Sequence, residues 1–340
     1  SDTSETHEWV RSLKECNGKL GLYGFSYQGF TQLTGELNSK PPDCLSPAMT
    51  GMNIKDHWCS DGGAYWWHNN IAWGLQIAAL KMKRENKFLE WKKIRLALEN
   101  KSYLREGIDT LKKYDPNSFV LEWLKNLNNA RPFEEFKPIS TWIKQPMLII
   151  GGLWDPHLKG AFDLYKKSKE AGGSPEIIIG NATHLNWWEG SQESLLKFFD
   201  KHLKSDEKFN SKNLKDEKKI WNISLNKWEE LDNKFHPEFI FGLKSDGTAN
   251  VEVEDGSLTI NSKGSGWFTI VNDPWRPTPS DGGHLGPNPG KFNRSIIDKR
   301  LDVGVFQTNS FEEDQYLRGV PTLEIQVKSD QPNFDICLAL

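Results

Sequence analysis

The hydrophobic period of the chain changes twice. Near-continuous apolar runs stand at 20–23, 44–49, 146–152 and 176–180. They are short enough for strands and apolar enough to be buried on both faces of a parallel sheet. Helical patterns alternate with them. Glu8, Trp9 and Val10, with Leu13 on the same face, predict a helix within residues 1–18, ended by Asn17-Gly18 in the manner of a C-cap. Further helices are predicted from the first run to about residue 37, at 160–171, and at 191–203 with Leu195, Phe198 and Phe199 on one face. Strand, helix and strand in succession is the signature of an α/β fold. From about 53 to 141 the chain turns rich in Lys, Glu, Trp and Leu; 71–91 and 123–127 read as amphipathic helices, and no strand is expected. The charge run 81–87 reads as a solvated helix face. After a lysine-rich linker at 205–219 the period becomes two. Segments at 220–225, 239–243, 257–260, 267–271, 301–307, 323–327 and 334–338 alternate between Gly, Pro, Asn and Asp turns. Seven such strands predict an all-β sandwich or jelly roll.

Between the first apolar run and the helix after it lies Gly24-Phe25-Ser26-Tyr27-Gln28-Gly29. A serine in a tight, glycine-flanked strand-to-helix turn is the layout of a nucleophile elbow. The second glycine follows the serine by three residues, and on pattern alone an ordinary turn fits as well. Downstream, Asp155 follows the strand at 146–152 and His184 follows the one at 176–180. The order Ser, Asp, His is that of α/β-hydrolases. Ser26 is expected to attack a carbonyl, His184 to take its proton, and Asp155 to orient the imidazole. Each has a plainer reading. Asp155 before Pro156 suits a helix N-cap. His157 competes with His184 as base, although it lies two residues from the acid. His57 and His68 read as packing or surface residues of the helical stretch.

Composition narrows the picture. At 340 residues and 39.0 kDa the chain has room for two or three domains. A net charge of −3 and a pI near 6.3 argue against a nucleic-acid partner. No apolar run approaches the roughly 20 residues that span a bilayer. Cys16, Cys44, Cys59 and Cys337 are scattered, without metal-ligand spacing. Of the 15 tryptophans, Trp58, Trp66, Trp67 and Trp73 cluster, as do Trp187 and Trp188. They are expected in core packing, or as an aromatic wall around a pocket.

The elbow with Ser26-Tyr27-Gln28-Gly29, the strand end Gly151-Gly152-Leu153-Trp154-Asp155 and the loop Ile179-Gly180-Asn181-Ala182-Thr183-His184 resemble those of the cocaine-esterase-like hydrolases, the X-Pro dipeptidyl-peptidase type of serine hydrolase. Glu8-Trp9-Val10 and residues 17–24 fit that family's lead-in. Asn272-Asp273-Pro274, Gly282-Gly283, Arg300-Leu301-Asp302-Val303 and Leu317-Arg318-Gly319 resemble its jelly-roll segment. The resemblance covers essentially the whole chain. It implies an α/β-hydrolase core at 1–53 and 142–205, a helical cap at 54–141 and a jelly-roll β-sandwich at 206–340. It implies no metal or organic cofactor, and a small-molecule ester or short peptide substrate, with neither nucleic acid nor membrane as partner. The backbone N–H of Tyr27 would be one oxyanion donor. In the family several strands precede the elbow, whereas about 20 residues do so here. Residues 1–340 are therefore expected to be a fragment, poorly active alone, with an open sheet edge. An acyl esterase is expected ahead of an Xaa-Pro dipeptidyl-peptidase or an α-amino-acid ester hydrolase. A peptidase would need acids for a free amino terminus, for which Asp56, Asp61 and Glu85 are candidates. A glycan- or partner-binding role for the jelly roll is the alternative of another class.

Overall fold

The computed structural model describes residues 2–35, 39–129, 133, 136–204, 216–231 and 239–340. The chain divides into two compact units, Ser1–Asp232 with Gly282–Gly290, and Asn233–Asp281 with Lys291–Leu340.

The first unit opens with helix α1 (Asp2–Ser12), strand β1 (Gly21–Phe25), the short helix α2 (Tyr27–Thr31) and strand β2 (Cys44–Ala48). A π-helical turn (Lys55–Cys59) and a small hairpin, β3 (Ser60–Asp61) with β4 (Ala64–Tyr65), lead into four helices: α3 (Trp67–Arg84), α4 (Phe88–Glu99), α5 (Tyr103–Tyr114) and α6 (Phe119–Asn128). The short α7 (Ser140–Ile143) precedes β5 (Leu148–Trp154), α8 (Leu158–Glu170), β6 (Glu176–Thr183), α9 (Ser191–Leu203), β7 (Lys218–Asn222) and β8 (Lys227–Glu230). One six-stranded sheet runs β1-β2-β5-β6-β7-β8, parallel except for the final β7–β8 hairpin. β1 forms one edge.

Alternation along the central strands sends side chains to opposite faces, and both faces are covered. Leu45, Met147, Ile149, Ile177 and Ile179 meet Ala161 and Leu164 of α8 and Ile143 of α7. Cys44, Ala48, Leu148, Ile150 and Ile178 meet Phe198 of α9. Each large aliphatic side chain so buried contributes about 1.5–3 kcal/mol. The helical stretch has its own core. Ile71, Leu75, Ala78, Ala79 and Met82 recur at helical spacing on α3 and meet Ile94, Tyr103, Leu111 and Val120 from α4, α5 and α6.

Several expectations need correction. The helix read at 71–91 is two helices. Asn86 adopts φ 58°, and the Lys87 N–H reaches back to the Met82 carbonyl at 2.9 Å, the left-handed cap that asparagine tolerates. α1 ends at Ser12, and Asn17 does not cap it. Its amide instead accepts from the Lys19 N–H and donates to the Leu203 carbonyl at the end of α9. α2 stops at Thr31, and residues 36 and 37 of the helix expected there lie outside the described residues. The stretch 53–141 does contain a strand pair, the two-residue β3–β4 hairpin. Of the expected linker, 205–215 lies outside the described residues. The segment 220–225, expected in the sandwich, contributes β7 to the six-stranded sheet, because Ile177–Ile179 of β6 offer it a parallel partner.

In the second unit, β9 (Phe241–Ser245) pairs antiparallel with β10 (Ser257–Ile260) and parallel with β11 (Ser265–Gly266). Gln307 bridges to Ser257. Among the described residues, 267–271, 323–327 and 334–338 form no strand, nor does 301–307 beyond that bridge. Alternation supplies an apolar face, but a strand also needs a hydrogen-bonding neighbour. Ile325, Val327, Phe334, Ile336 and Leu338 stand exposed there. The fold is thus mixed α/β with further β structure, compatible with a hydrolase domain followed by a β-domain.

Candidate active site

Ser26 sits between β1 and α2 at φ 58° and ψ −133°, a conformation L-residues avoid unless their surroundings enforce it. The enforcement is visible. Its N–H donates to the Ala48 carbonyl at the end of β2 (2.9 Å), and its carbonyl accepts from Gly29 and Phe30. The chain passes too close for side chains on either flank. A Cβ on Gly24 would lie 2.7 Å from Gln28 Cβ, and one on Gly29 would lie 2.8 Å from Thr50 Cγ2. The N–H groups of Tyr27 and Gln28, the first of α2, precede its first i→i−4 bond and have no acceptor within it.

β5 ends at Trp154 and delivers Asp155, whose side chain has no exposed surface. β6 ends at Thr183 and delivers His184, 28% exposed. His184 Nε2 lies 3.0 Å from Ser26 Oγ, and its Nδ1 lies 2.5 Å from Asp155 Oδ2. A carboxylate only accepts, so Nδ1 carries the proton and Nε2 presents its lone pair to the hydroxyl. The other oxygen of Asp155 accepts the backbone N–H of His157 at 2.8 Å. Residues 158 positions apart, just past the ends of β1 and β6 with β2 and β5 between those strands, thereby meet at the carboxyl ends of one sheet.

His157, the competing base, points elsewhere. It is buried, with Nδ1 2.6 Å from the His57 carbonyl and its ring 5.2 Å from that of His184. Burial pushes its pKa down to about 4, against the pull of Asp155. His57 bonds Asp163 through Nε2, and His68 bonds the Tyr103 hydroxyl. Several of the clustered tryptophans pack around the histidines. Trp58 and Trp66 are buried against His157, with ring centroids 4.4 and 5.6 Å away, and Trp58 continues to Trp73 at 6.0 Å. On the other side Phe25 lies 5.5 Å from His184 and 5.9 Å from Trp187, whose Nε1–H donates to the His184 carbonyl. Phe25 adjoins the serine in sequence, which was the signal for its place; nothing local marked the His57 carbonyl.

Ligand atoms of Asp155, His157 and His184 fall within 4.8 Å of one another. In number and type they would suit a small metal ion. Yet Asp155 Oδ2 and His184 Nδ1 are already bonded to each other, and His157 Nδ1 to a carbonyl. The buried thiols of Cys44 and Cys59 are pushed up to about 12 by burial, which leaves them protonated and unreactive. Of the acids weighed for an amino terminus, Glu85 pairs with Lys87, and Asp61 lies 3.6 Å from His284, whose hydrogen bond holds its carboxyl below the usual range. Asp56 donates its N–H to Asn53 at the start of the π-helical turn. Among the described residues no helix is long and apolar enough to cross a membrane.

The family model described as X-Pro dipeptidyl-peptidase (S15 family) matches residues 1–186. The chain is also similar to the cocaine esterase of Rhodococcus sp. (strain MB1 Bresler), 21% identical over 382 aligned residues. That alignment covers 100% of this chain and 65% of the esterase, so the chain spans just under two thirds of that relative's length.

Proposed function

The chain belongs to the X-Pro dipeptidyl-peptidase (S15) family, and from that premise we propose that it is a serine hydrolase cleaving small esters through an acyl-enzyme. The observation that carries the reading is one imidazole between a hydroxyl and a buried carboxylate, at 3.0 and 2.5 Å. Ser26 Oγ attacks the ester carbonyl as His184 Nε2 removes its proton. Asp155 holds the Nδ1–H tautomer and stabilises the imidazolium that forms. The negative charge developing on the carbonyl oxygen faces the Tyr27 N–H at the start of α2. Collapse expels the alcohol, protonated by His184. Water then repeats the sequence on the acyl-serine and frees the acid.

In this reading residues 54–141 act as a cap, and the aromatic rings around His157 and His184 favour an apolar acyl group. The second unit is taken as a jelly-roll-type sandwich, supported by the antiparallel β9–β10 pair. An ester is preferred to an Xaa-Pro peptide because Glu85 is paired with Lys87 and Asp61 lies beside His284.

Ser26→Ala in the full-length protein is expected to lower p-nitrophenyl butyrate turnover on the order of 10⁶-fold and to abolish fluorophosphonate labelling. Unchanged turnover would overturn the reading. Faster cleavage of Ala-Pro-p-nitroanilide than of short acyl esters would move the substrate class to peptides.

A further inference from the structure

Behind the acid and base stands a second pair of histidines. His57 lies on the π-helical turn with both ring nitrogens engaged. Its Nδ1 accepts the N–H groups of Met52 and Asn53, each at 3.1 Å, which leaves the proton on Nε2 to donate to Asp163 Oδ2 of α8 at 2.8 Å. The carbonyl of His57 falls in the last turn of that short helix, where carbonyls have no partner along the helix. His157 Nδ1 lies 2.6 Å from it, and because a carbonyl only accepts, the His157 proton sits on Nδ1. The same residue's backbone N–H holds Asp155 Oδ1 at 2.8 Å and so leaves Oδ2 for His184.

The surroundings allow little play. His57 and His157 are 3% and 6% exposed. A Cβ on Gly160 would lie 2.7 Å from Gly51 Cα, and one on Gly51 would lie 2.5 Å from His57 Cβ. Trp58 and Trp66 lie against the His157 ring. α8 is thus laced to the π-helical turn twice, by the His57 side chain and by the His57 carbonyl.

We propose that His157 is a positioning residue: its bond to the His57 carbonyl fixes the turn from Asp155 to His157, so that the second oxygen of Asp155 faces His184. The inference rests on the reading of Ser26, His184 and Asp155 as the reacting set. The other bonds of that turn, Asp155 N–H to Gly152 and Leu158 N–H to the Asp155 carbonyl, hold main chain only. They do not aim the carboxylate. Burial keeps His157 uncharged at neutral pH, so it orients the pair without competing for the serine proton.

The test compares His157→Leu with His157→Asn in the full-length protein, using p-nitrophenyl butyrate. The asparagine amide nitrogen can take the place of Nδ1; leucine has no donor. A misplacement of about 1 Å costs on the order of 10²-fold, so His157→Leu should lose about that much in kcat with KM little changed. The far-downfield proton signal of His184 Nδ1–H should weaken with it. His157→Asn should recover most of both. An unchanged kcat in His157→Leu overturns the proposal, as does His157→Asn no faster than His157→Leu when both melt like the parent protein. Ser26→Ala separates the two levels. Turnover that survives it sinks the reading and this inference together, whereas turnover lost there but unmoved in His157→Leu sinks the positioning role alone.

Discussion

Asp155 has no exposed surface and two hydrogen-bond partners, the His184 imidazole and the His157 N–H. Its proposed value lies in the tautomer it imposes. Asp155→Asn replaces an acceptor with an amide that can also donate, letting the proton shift to Nε2 and face Ser26, where no base then remains. kcat for p-nitrophenyl butyrate is expected to fall about 10⁴-fold with the circular dichroism unchanged; a loss below tenfold would show that the acid is dispensable. At this scale the sequence was informative where a proposed reacting residue sits at a strand end. Ser26 was marked by its glycines, and Asp155 and His184 by the apolar runs before them. The bond from His157 to the His57 carbonyl was not legible: it joins a side chain to main chain 100 positions away, and every backbone carbonyl looks alike in a sequence.

The elements read best were those whose burial is complete. β2, β5 and β6 lie in the middle of the sheet with helices on both faces, and that environment forces uninterrupted apolar runs. Ile149 is 1% exposed and touches the cluster under α8. Ile149→Ala should therefore cost about 2–5 kcal/mol in urea unfolding, and a cost under 1 kcal/mol would mean that the face is not close-packed. Elements governed by local backbone chemistry were read less well. The α3–α4 break turns on Asn86, whose left-handed conformation no periodicity signals. β7 alternates like a sandwich strand but pairs with β6. Register and partner are long-range properties, and a period of two is common to every sheet with one covered face.

For the whole molecule the histidines set an acid limit. The pKa values of His157 and His202 are pushed down to about 4 and those of His7, His57 and His68 are lowered, each mainly by burial. The unfolded chain takes up these protons near the ordinary 6.5, while the folded chain resists them. Between those values the unfolded state binds more protons, so stability is complete above about 6.5 and declines as pH drops toward 4. For fully buried His157 alone the loss is on the order of 3 kcal/mol. The carboxylates with lowered pKa, such as Asp61 and Asp302, lose their contribution further down. Melting temperature should decline steadily from pH 7 to pH 4.5; a flat profile would contradict the buried, neutral state of these rings. Complete burial and tight turns restrict residue type locally, so the α/β core, the family and the candidate serine, acid and histidine could be read along the chain. Which histidine meets the serine, where the acid's second oxygen points and which sheet β7 joins came only with the fold, because each depends on distances between segments that the chain order leaves free.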